Sequence, residues 1–216
     1  ESGLVGRWPG DAHTRDSISG NHAQRVRTGQ PGGETSYSPG KLNQSFAFDG
    51  SSVLRINDST VLHSKAGMTV SLWVDVSALD EDRQTVVWKG EIPDCARGCR
   101  EHALFIRKNG SLEYVTTSRA RRTRIVKTAE ETIAPGRWSH IAMVVDANAA
   151  NIKLFVDQIL AASGRTDSSG VRDTSGPWLL GGIEVDGPEY RDLFSGLIDE
   201  VRIYNRALSD SQVAQL

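Results

Sequence analysis

The chain has 216 residues, of which 38% are hydrophobic and 24% charged, and its formal net charge is −2. This composition is typical of a folded globular domain and excludes a largely disordered chain. The longest apolar run, residues 141–145, is too short for a transmembrane helix, which needs about 20 residues. The near-neutral charge carries no nucleic-acid signature.

Short stretches of alternating apolar and polar residues recur along the chain, each bounded by Gly, Pro, Asn or Asp. Such stretches predict β-strands. In chain order the predicted strands are 45–49, 53–56, 68–76, 86–88, 103–107, 112–116, 141–146, 152–156, 178–181 and 197–204. The sequence therefore predicts an all-β fold, an antiparallel β-sandwich.

Two local motifs add detail to this prediction. Asn109 and Gly110 lie between two predicted strands and predict a hairpin with a type I′ turn, because both residues tolerate positive φ. Near the end of the chain, Ser209 is a plausible N-cap, and Gln212 follows three residues later, as in a capping box. Only this last segment is expected to be helical.

The two cysteines, Cys95 and Cys99, are separated by three residues. A disulfide between them would close a very small loop and would favour an exported protein. Free thiols are the alternative. A zinc site is the least favoured interpretation of the two cysteines, because the chain has no second cysteine pair and His102 alone cannot complete four ligands.

Five segments carry a family resemblance: GLVGRWP at 3–9, DSISGNHA at 16–23, FAFDG at 46–50, GRWSHIA at 136–142 and FSGLIDEVRIYNRALS at 194–209. In this order they resemble the laminin-G-like, concanavalin A-like jelly rolls. The resemblance implies one domain over residues 1–216, an antiparallel two-sheet jelly-roll β-sandwich with a short C-terminal helix. One departure is Gln158, which stands where the family often has a glycine in a hairpin.

The resemblance also implies a structural calcium ion that ties the first and last strands together. It places the oxygen ligands among Asp199, Asp49, Gly50, Asp11, Asp16 and Asn21, with Asp199 in the closing strand. A carboxylate buried in such a strand is costly unless it is paired or bound to a metal. The alternative for Asp199 is a salt bridge to Arg7 or Arg202, or a hydrogen bond within a turn.

Positive charge is concentrated between residues 97 and 127, where nine Lys and Arg residues face two Glu residues. Arginine side chains match sulfate and carboxylate groups with paired hydrogen bonds. The candidate ligand-binding arginines are Arg107, Arg119, Arg121, Arg122 and Arg124. The alternative is a solvated hairpin tip whose charges pair with nearby acids such as Glu130 and Glu131.

Sugar-binding sandwiches usually stack an aromatic ring on the sugar. Trp88 and Trp178 are the candidate platforms, and Tyr114 is a further candidate for ligand contact. The alternative for each of these rings is packing in the core.

The sequence lacks the compact pair of carboxylates that laminarinase-like members of this fold use, and it has no nucleotide-binding or serine-nucleophile motif. We therefore expect a non-catalytic module that binds a polysaccharide. The anionic candidates for this ligand are sulfated and uronate-bearing polysaccharides. It would belong to a larger secreted or cell-surface protein, without nucleic-acid binding or membrane insertion. One alternative is a polysaccharide lyase or hydrolase on the same fold, with His102, Tyr114, Arg107 and Arg124 converging in the lyase. The other is a protein–protein adhesion or spacer module.

Overall fold

A computed structural model describes residues 2–29, 36–64, 66–91, 99–167, 169–186 and 189–216. Within these ranges the strands are Leu4–Trp8 (β1), Ala23–Arg27 (β2), Ser36–Pro39 (β3), Gln44–Asp49 (β4), Ser52–Ile56 (β5), Gly67–Val76 (β6), Arg83–Glu91 (β7), Cys99–Arg107 (β8), Leu112–Thr117 (β9), Thr123–Lys127 (β10), Ser139–Asp146 (β11), Asn151–Val156 (β12), Ile159–Arg165 (β13), Trp178–Leu180 (β14), Ile183–Asp186 (β15), Glu189–Arg191 (β16) and Ser195–Tyr204 (β17). A 3-10 turn covers Thr60–Leu62, and an α-helix covers Asp210–Val213 (α1).

Two antiparallel sheets pack face to face. The first sheet has the order β13-β12-β11-β6-β17-β4-β3, with β1 also paired to β17. The second sheet has the order β10-β9-β8-β7-β14-β5-β2, and β15 and β16 form a separate hairpin. The predicted antiparallel two-sheet sandwich with a short C-terminal helix is confirmed. None of the helices in the described part of the chain has the length and apolarity needed to cross a membrane.

The core lies between the two sheets, and a second apolar cluster lies on the outer face of the second sheet. Leu104 and Ile106 of β8 point into the core with Leu72 of the first sheet. Phe105 points the other way, because successive side chains of a strand alternate between faces. It packs in the outer cluster with Tyr190 of the β15–β16 hairpin. The hairpin therefore covers part of the outer face.

The end of the chain follows its sequence signal closely. The Ser209 hydroxyl accepts a hydrogen bond from the Gln212 backbone N–H at 3.3 Å, and the Gln212 side chain accepts one from the Ser209 N–H at 3.0 Å. This reciprocal pair is the predicted capping box.

The hairpin at Asn109 and Gly110 forms as predicted, but the prediction of a type I′ turn is wrong. Gly110 has a φ of +73°, whereas Asn109 is not in the positive-φ region. The Gly110 N–H donates to the Arg107 carbonyl at 2.8 Å, and the Arg107 N–H donates to the Ser111 carbonyl at 2.9 Å. This is the pattern of a type I turn followed by a glycine bulge. The Asn109 side chain accepts from the Ser111 N–H at 3.2 Å and holds the turn.

The hairpin between β12 and β13 uses a two-residue turn without glycine. Asp157 has a φ of +49° and Gln158 a φ of +68°. Such a turn needs positive φ at both central residues, and this region is unfavourable for a side chain such as glutamine. The absence of a glycine noted in the sequence therefore places Gln158 in a strained conformation.

The expected disulfide remains a prediction. Cys95 lies outside the described residues, and Cys99 begins β8.

Candidate functional site

A pocket of about 540 Å³ opens at one end of the sandwich and reaches between the sheets. We call it the end pocket. The first sheet contributes Met68 at the start of β6 and Val145 near the end of β11, and the second sheet contributes Glu101 and His102 at the start of β8. Surrounding loops complete the wall with Thr60, His63, Arg119, Asn148 and residues 169–173.

A β-bulge brings two neighbouring side chains into this pocket. Lys89 pairs with His102 and Gly90 pairs with Arg100, so Glu101 is an extra residue in β8. In a regular strand, consecutive side chains point to opposite faces. The bulge redirects them, and both Glu101 and His102 line the pocket while remaining only 5% and 3% exposed.

Each of these two side chains is held by one of its polar atoms. Oε2 of Glu101 accepts hydrogen bonds from the backbone N–H and the hydroxyl of Thr174, both at 2.9 Å. Nδ1 of His102 lies 2.7 Å from the Tyr114 hydroxyl, and the imidazole ring stacks on Trp178 with 5.6 Å between centroids. The second polar atoms, Oε1 of Glu101 and Nε2 of His102, are 3.9 Å apart. That distance is too long for a hydrogen bond, and within the described residues neither atom has another partner.

Burial sets the protonation of this group. It raises the pKa of Glu101 to about 7, against the lowering effect of the Lys89 charge. Burial also lowers the pKa of His102 to about 3 and raises the pKa of the Tyr114 hydroxyl. His102 is therefore a neutral imidazole beside a protonated phenol at neutral pH.

The buried side chain of Lys89 places a positive charge next to the pocket. Lys89 is fully buried; its ammonium group donates to a carboxylate oxygen of Asp58 and, at 3.0 Å, to the carbonyl of Thr174. Asp58 also lies 2.7 Å from Nε2 of His63, whose Nδ1 lies 2.8 Å from Asp173. This network joins the second sheet to the loops around His63 and Asp173, which form part of the pocket wall.

Two of the five candidate arginines lie at the mouth of the pocket. Arg119 lines the end pocket and, with Arg121, Arg172 and Asp173, also lines an adjoining open depression of about 490 Å³. The turn between β9 and β10 carries Arg119 and Arg121 to this place. Arg119 therefore borders both cavities, and Arg121 borders the adjoining depression.

The other three candidate arginines do not join this surface, so the prediction of one five-arginine site is wrong. Arg122 and Arg124 lie 3.5 Å and 3.2 Å from the carboxylate of Asp167. Arg107 lies 3.7 Å from Glu113. It falls on the outer face of the second sheet, since side chains two residues apart on a strand share a face and Phe105 is in the outer cluster.

The aromatic candidates are buried, so the predicted stacking platform is wrong. Trp88 is 2% exposed, Trp178 is 1% exposed and Tyr114 is fully buried. Trp88 packs in the outer cluster, which includes Tyr190 of the β15–β16 hairpin. Trp178 and Tyr114 belong to the core between the sheets. None of the three offers a ring face to a sugar.

The set of residues considered for a lyase is not assembled. His102 and Tyr114 contact each other, but Arg107 pairs with Glu113, and Arg124 pairs with Asp167 instead. Tyr114 is fully buried and cannot reach a substrate proton.

Two of the six predicted calcium ligands meet at the turn between β3 and β4. The Leu42 N–H donates to Oδ2 of Asp199 at 3.0 Å, and the Gln44 N–H donates to Oδ1 of Asp11 at 3.2 Å. A Cβ atom on Gly40 would lie 2.7 Å from both Oδ2 of Asp199 and the Gln44 carbonyl oxygen. Asp199 is fully buried, and burial raises its pKa to about 6.

Asp199 has no salt bridge to either arginine considered for it. Arg7 and Arg202 lie 3.0 Å and 2.8 Å from the carboxylate of Glu200 instead. Within the described residues, no three His, Cys, Asp or Glu side chains form a metal-binding group. A cation beside Asp199 and Asp11 would therefore need main-chain oxygens as well, and the Gln44 carbonyl borders the space at Gly40.

Asp16 and Asn21 form hydrogen bonds within their own loop, and their assignment as calcium ligands stays a prediction. The Asp16 carboxylate accepts backbone hydrogen bonds from Arg7 at 3.0 Å and from Asn21 at 3.0 Å, among others. The Asn21 side chain donates to the Ser19 hydroxyl at 2.6 Å. These hydrogen bonds order the segment that follows β1.

Asp49 and Gly50 lie too far along the sheet to share a calcium ion with Asp199, so their assignment to a site beside Asp199 is wrong. Asp49 pairs with Ser195, four positions before Asp199 in β17. Four residues of strand span about 13 Å. The Asp49 carboxylate instead accepts from the N–H and hydroxyl of Ser51.

Residues 48–214 match the family model of the concanavalin A-like lectin/glucanases superfamily. No curated protein sequence matches the chain. Among solved structures, domain 4 of an extracellular arabinanase from Geobacillus stearothermophilus, in complex with arabinotriose, is 24% identical with a TM-score of 0.69. The match covers 98% of this chain and 97% of that one.

Two further solved structures share the fold over a longer partner. The binding domain of Paraclostridial Mosquitocidal Protein 1 is 17% identical with a TM-score of 0.74, and the match covers 99% of this chain and 51% of that one. The binding domain of botulinum neurotoxin DC in complex with SialylT is 11% identical with a TM-score of 0.70, and the match covers 99% and 50%. The chain therefore corresponds to about half of each of these binding domains.

Proposed function

Because the chain belongs to the concanavalin A-like lectin/glucanase superfamily, we propose that it is a non-catalytic carbohydrate-binding domain whose end pocket takes part of a polysaccharide. The observation that carries this proposal is the end pocket itself, about 540 Å³, with apolar side chains of the first sheet, polar side chains of the second sheet and residues of four loops in its lining. Small-molecule sites typically occupy 300–1,000 Å³ and orient their ligand with a few fixed polar groups. The arabinotriose in the arabinanase domain of the same fold supports a carbohydrate as the ligand.

The mouth of the pocket favours acidic glycans. Arg119 and Arg121 lie beside it, and arginine forms paired hydrogen bonds with sulfate and carboxylate groups. Asp173 at the same rim opposes a negative ligand and would limit this preference. We expect uronate-bearing or sulfated glycans to bind more tightly than neutral glycans of the same length.

A binding role fits the chemistry of the pocket better than catalysis does. Glycoside hydrolysis uses two carboxyl groups on opposite sides of the scissile bond. Glu101 faces His102 across the pocket floor, and its other oxygen is held by Thr174. The domain would serve as a module of a larger secreted or cell-surface protein, as domain 4 serves the extracellular arabinanase.

Calcium is part of the proposal as a structural ion. Asp199, Asp11 and the carbonyl of Gln44 would hold it, because these oxygens lie around one turn and Asp199 is a buried carboxylate without a cationic partner among the described residues. Hard oxygen donors of this kind suit Ca²⁺. A bound cation would neutralise Asp199 and fasten the turn between β3 and β4 to β17.

Affinity electrophoresis through gels containing arabinan, polygalacturonate or a sulfated glycan tests the binding proposal. The chain should be retarded, most strongly by the acidic glycans, and Arg119→Ala with Arg121→Ala should weaken that retardation. Arg137→Ala is the matched control, because Arg137 is exposed and precedes β11 at the end opposite Val145. Retardation in none of these gels would overturn the proposal and favour an adhesion or spacer module.

A further inference from the structure

We infer that Glu101 and His102 form a hydroxyl-recognition pair on the floor of the end pocket, and that the pocket therefore receives the terminal residue of a glycan end-on. This inference rests on the proposed function, since it assigns the ligand group and the direction of entry at the same site. It uses residues that the arginine and tryptophan patterns of the sequence did not single out.

The two open atoms complement a hydroxyl group. Oε1 of Glu101 and Nε2 of His102 are 3.9 Å apart and have no partner within the described residues. The pair requires the tautomer in which the Tyr114 hydroxyl donates to Nδ1, so that Nε2 carries the ring hydrogen of the neutral imidazole. One hydroxyl oxygen placed 2.7–3.0 Å from both atoms, the ordinary hydrogen-bond range, would donate to the carboxylate and accept from the imidazole.

Oε2 of Glu101 and Nδ1 of His102 are held by hydrogen bonds, so the pair is preorganised. Thr174 holds this oxygen of Glu101 with two hydrogen bonds, and Tyr114 holds this nitrogen of His102. Trp178 stacks on the imidazole and restricts its rotation. A site whose side chains are already oriented loses little conformational freedom on binding.

The same pair rejects an acidic group at the floor. Sulfate and carboxylate groups only accept hydrogen bonds. Either could accept from Nε2 of His102 but has no hydrogen to donate to Glu101, whose ionised carboxylate repels it above pH 7. An acidic substituent therefore has to remain at the mouth beside Arg119. The floor and the mouth together select a glycan whose end residue turns a hydroxyl group to the floor while its acidic groups face the mouth.

The floor is closed, which sets the direction of entry. Met68 and Val145 line the pocket, are each 2% exposed and belong to the core between the sheets. A glycan cannot pass through this core to leave on another side. Only a chain end can reach Glu101 and His102, whereas internal residues stay outside.

Calorimetric titration with arabinotriose and with trigalacturonate at pH 8, where Glu101 is ionised, tests the pair. In Glu101→Gln the amide oxygen can keep the Thr174 hydrogen bonds, while the NH₂ group replaces the open acceptor. We expect affinity to fall about ten- to hundredfold, the usual effect of losing a hydrogen bond to a charged group. Glu113→Gln, on the outer face, is the matched control and should bind like the wild type. On binding, the His102 Nε2 resonance should also shift in the wild-type protein.

A plugging variant separates the failure of this inference from failure of the proposed function. Asn148 is exposed at the pocket mouth, so Asn148→Trp should abolish binding. Loss of binding in Asn148→Trp with unchanged affinity in Glu101→Gln would overturn the floor pair and leave the pocket as the site. If the wild-type protein binds neither trisaccharide, the proposed function itself is overturned.

End-on entry has its own readout. Partial hydrolysis of a linear arabinan multiplies chain ends at constant mass. The number of binding sites per gram should rise in proportion to the chain ends. An unchanged number of sites per gram would show that internal residues bind and would overturn end-on entry.

Discussion

The ammonium nitrogen of Lys89 lies 3.9 Å from Oε2 of Glu101 in the interior of the sandwich. Lys89 is fully buried, and the Thr174 and Gly176 carbonyls accept hydrogen bonds from it at 3.0 Å and 2.6 Å. The Glu101 carboxylate, which faces the pocket, therefore lies close to a cation that solvent does not reach. The pocket floor and the internal salt-bridge network therefore form one electrostatic unit.

Replacing this cation should destabilise the fold. Lys89→Met leaves Asp58 and Glu101 without their buried partner, and breaking a buried ion pair typically costs 3–5 kcal/mol. We expect urea unfolding to show a loss of about that size. Lys153→Met is the control, since its pair with Asp210 is largely exposed and such pairs contribute about 1 kcal/mol or less. Equal losses in both variants would contradict the role assigned to Lys89.

The raised pKa of Glu101 makes a pH-dependent prediction. Its folded pKa of about 7 lies above the ordinary value of 4.5, so the folded chain holds a proton that the unfolded chain releases. The stability that protonated Glu101 contributes is therefore present below pH 4.5 and is lost as the pH rises through 7. Glu101→Gln keeps the neutral form at every pH and should exceed the wild type above pH 7 by at most about 3 kcal/mol.

Urea unfolding of the wild type and Glu101→Gln at pH 5 and pH 8 checks this. His102 and His140, whose pKa values burial lowers to about 3 and about 4, titrate in both proteins. Their contribution largely cancels in the difference between the two proteins. A difference in stability that is the same at both pH values would contradict the prediction.

Trp88 should matter for stability and not for binding. It is 2% exposed in the outer cluster, and Trp88→Phe removes buried volume at a cost of about 1–3 kcal/mol. Unfolding measurements should show this loss, while the affinity for arabinotriose should stay unchanged. A large loss of affinity in a variant that is still folded would restore Trp88 as a ligand platform.

Relief of strain at Gln158 should stabilise the chain. Gln158 has a φ of +68° in an exposed two-residue turn, and glycine adopts that conformation without a Cβ clash. Gln158→Gly should raise the free energy of unfolding by about 0.5–1 kcal/mol. Gln24→Gly, at an exposed position of β2, should lower it. A loss of stability in Gln158→Gly would contradict the turn described here.

Calcium should raise the melting temperature through Asp199. A ligand that binds only the folded state stabilises it by an amount that grows with the logarithm of the ligand concentration relative to its Kd. Thermal unfolding with calcium and with a chelator should differ for the wild type and for Asp49→Asn, but not for Asp199→Asn. Asp49 is the matched control, because it lies at the other end of β4. The same calcium shift in Asp199→Asn would remove Asp199 from the site.

Much of the fold was predictable because alternation and turn residues act locally. The clean alternation at 68–76 became β6, and the Ser209–Gln212 capping box formed as expected. Other strands carry weaker patterns. On β13 the adjacent residues Ile159 and Leu160 are both apolar and both exposed, so they break the alternation. Pairing with β12 fixes this strand, and that pairing is not encoded in its own residues.

The site was less predictable, because tertiary contacts decide it. The bulge at Glu101 arises from the register between β7 and β8, which residue spacing does not show. Trp88 is buried beneath a hairpin whose strands, β15 and β16, are only three or four residues long and lack a strong alternating pattern. Arg122 and Arg124 share one ion-pair partner, Asp167, more than forty residues away in the sequence. Only the location of Arg119 and Arg121 at the pocket followed the charge pattern.

The most direct test of the central claim is amide chemical-shift mapping of the isotope-labelled chain during titration with arabinotriose and with trigalacturonate. The end pocket predicts that the largest changes cluster at residues 101–102, 119, 147–148 and 169–173. Changes that cluster instead on the outer face of the second sheet, around Arg83 and Arg107, would place the site elsewhere. An absence of changes with either sugar would contradict carbohydrate binding at the end pocket.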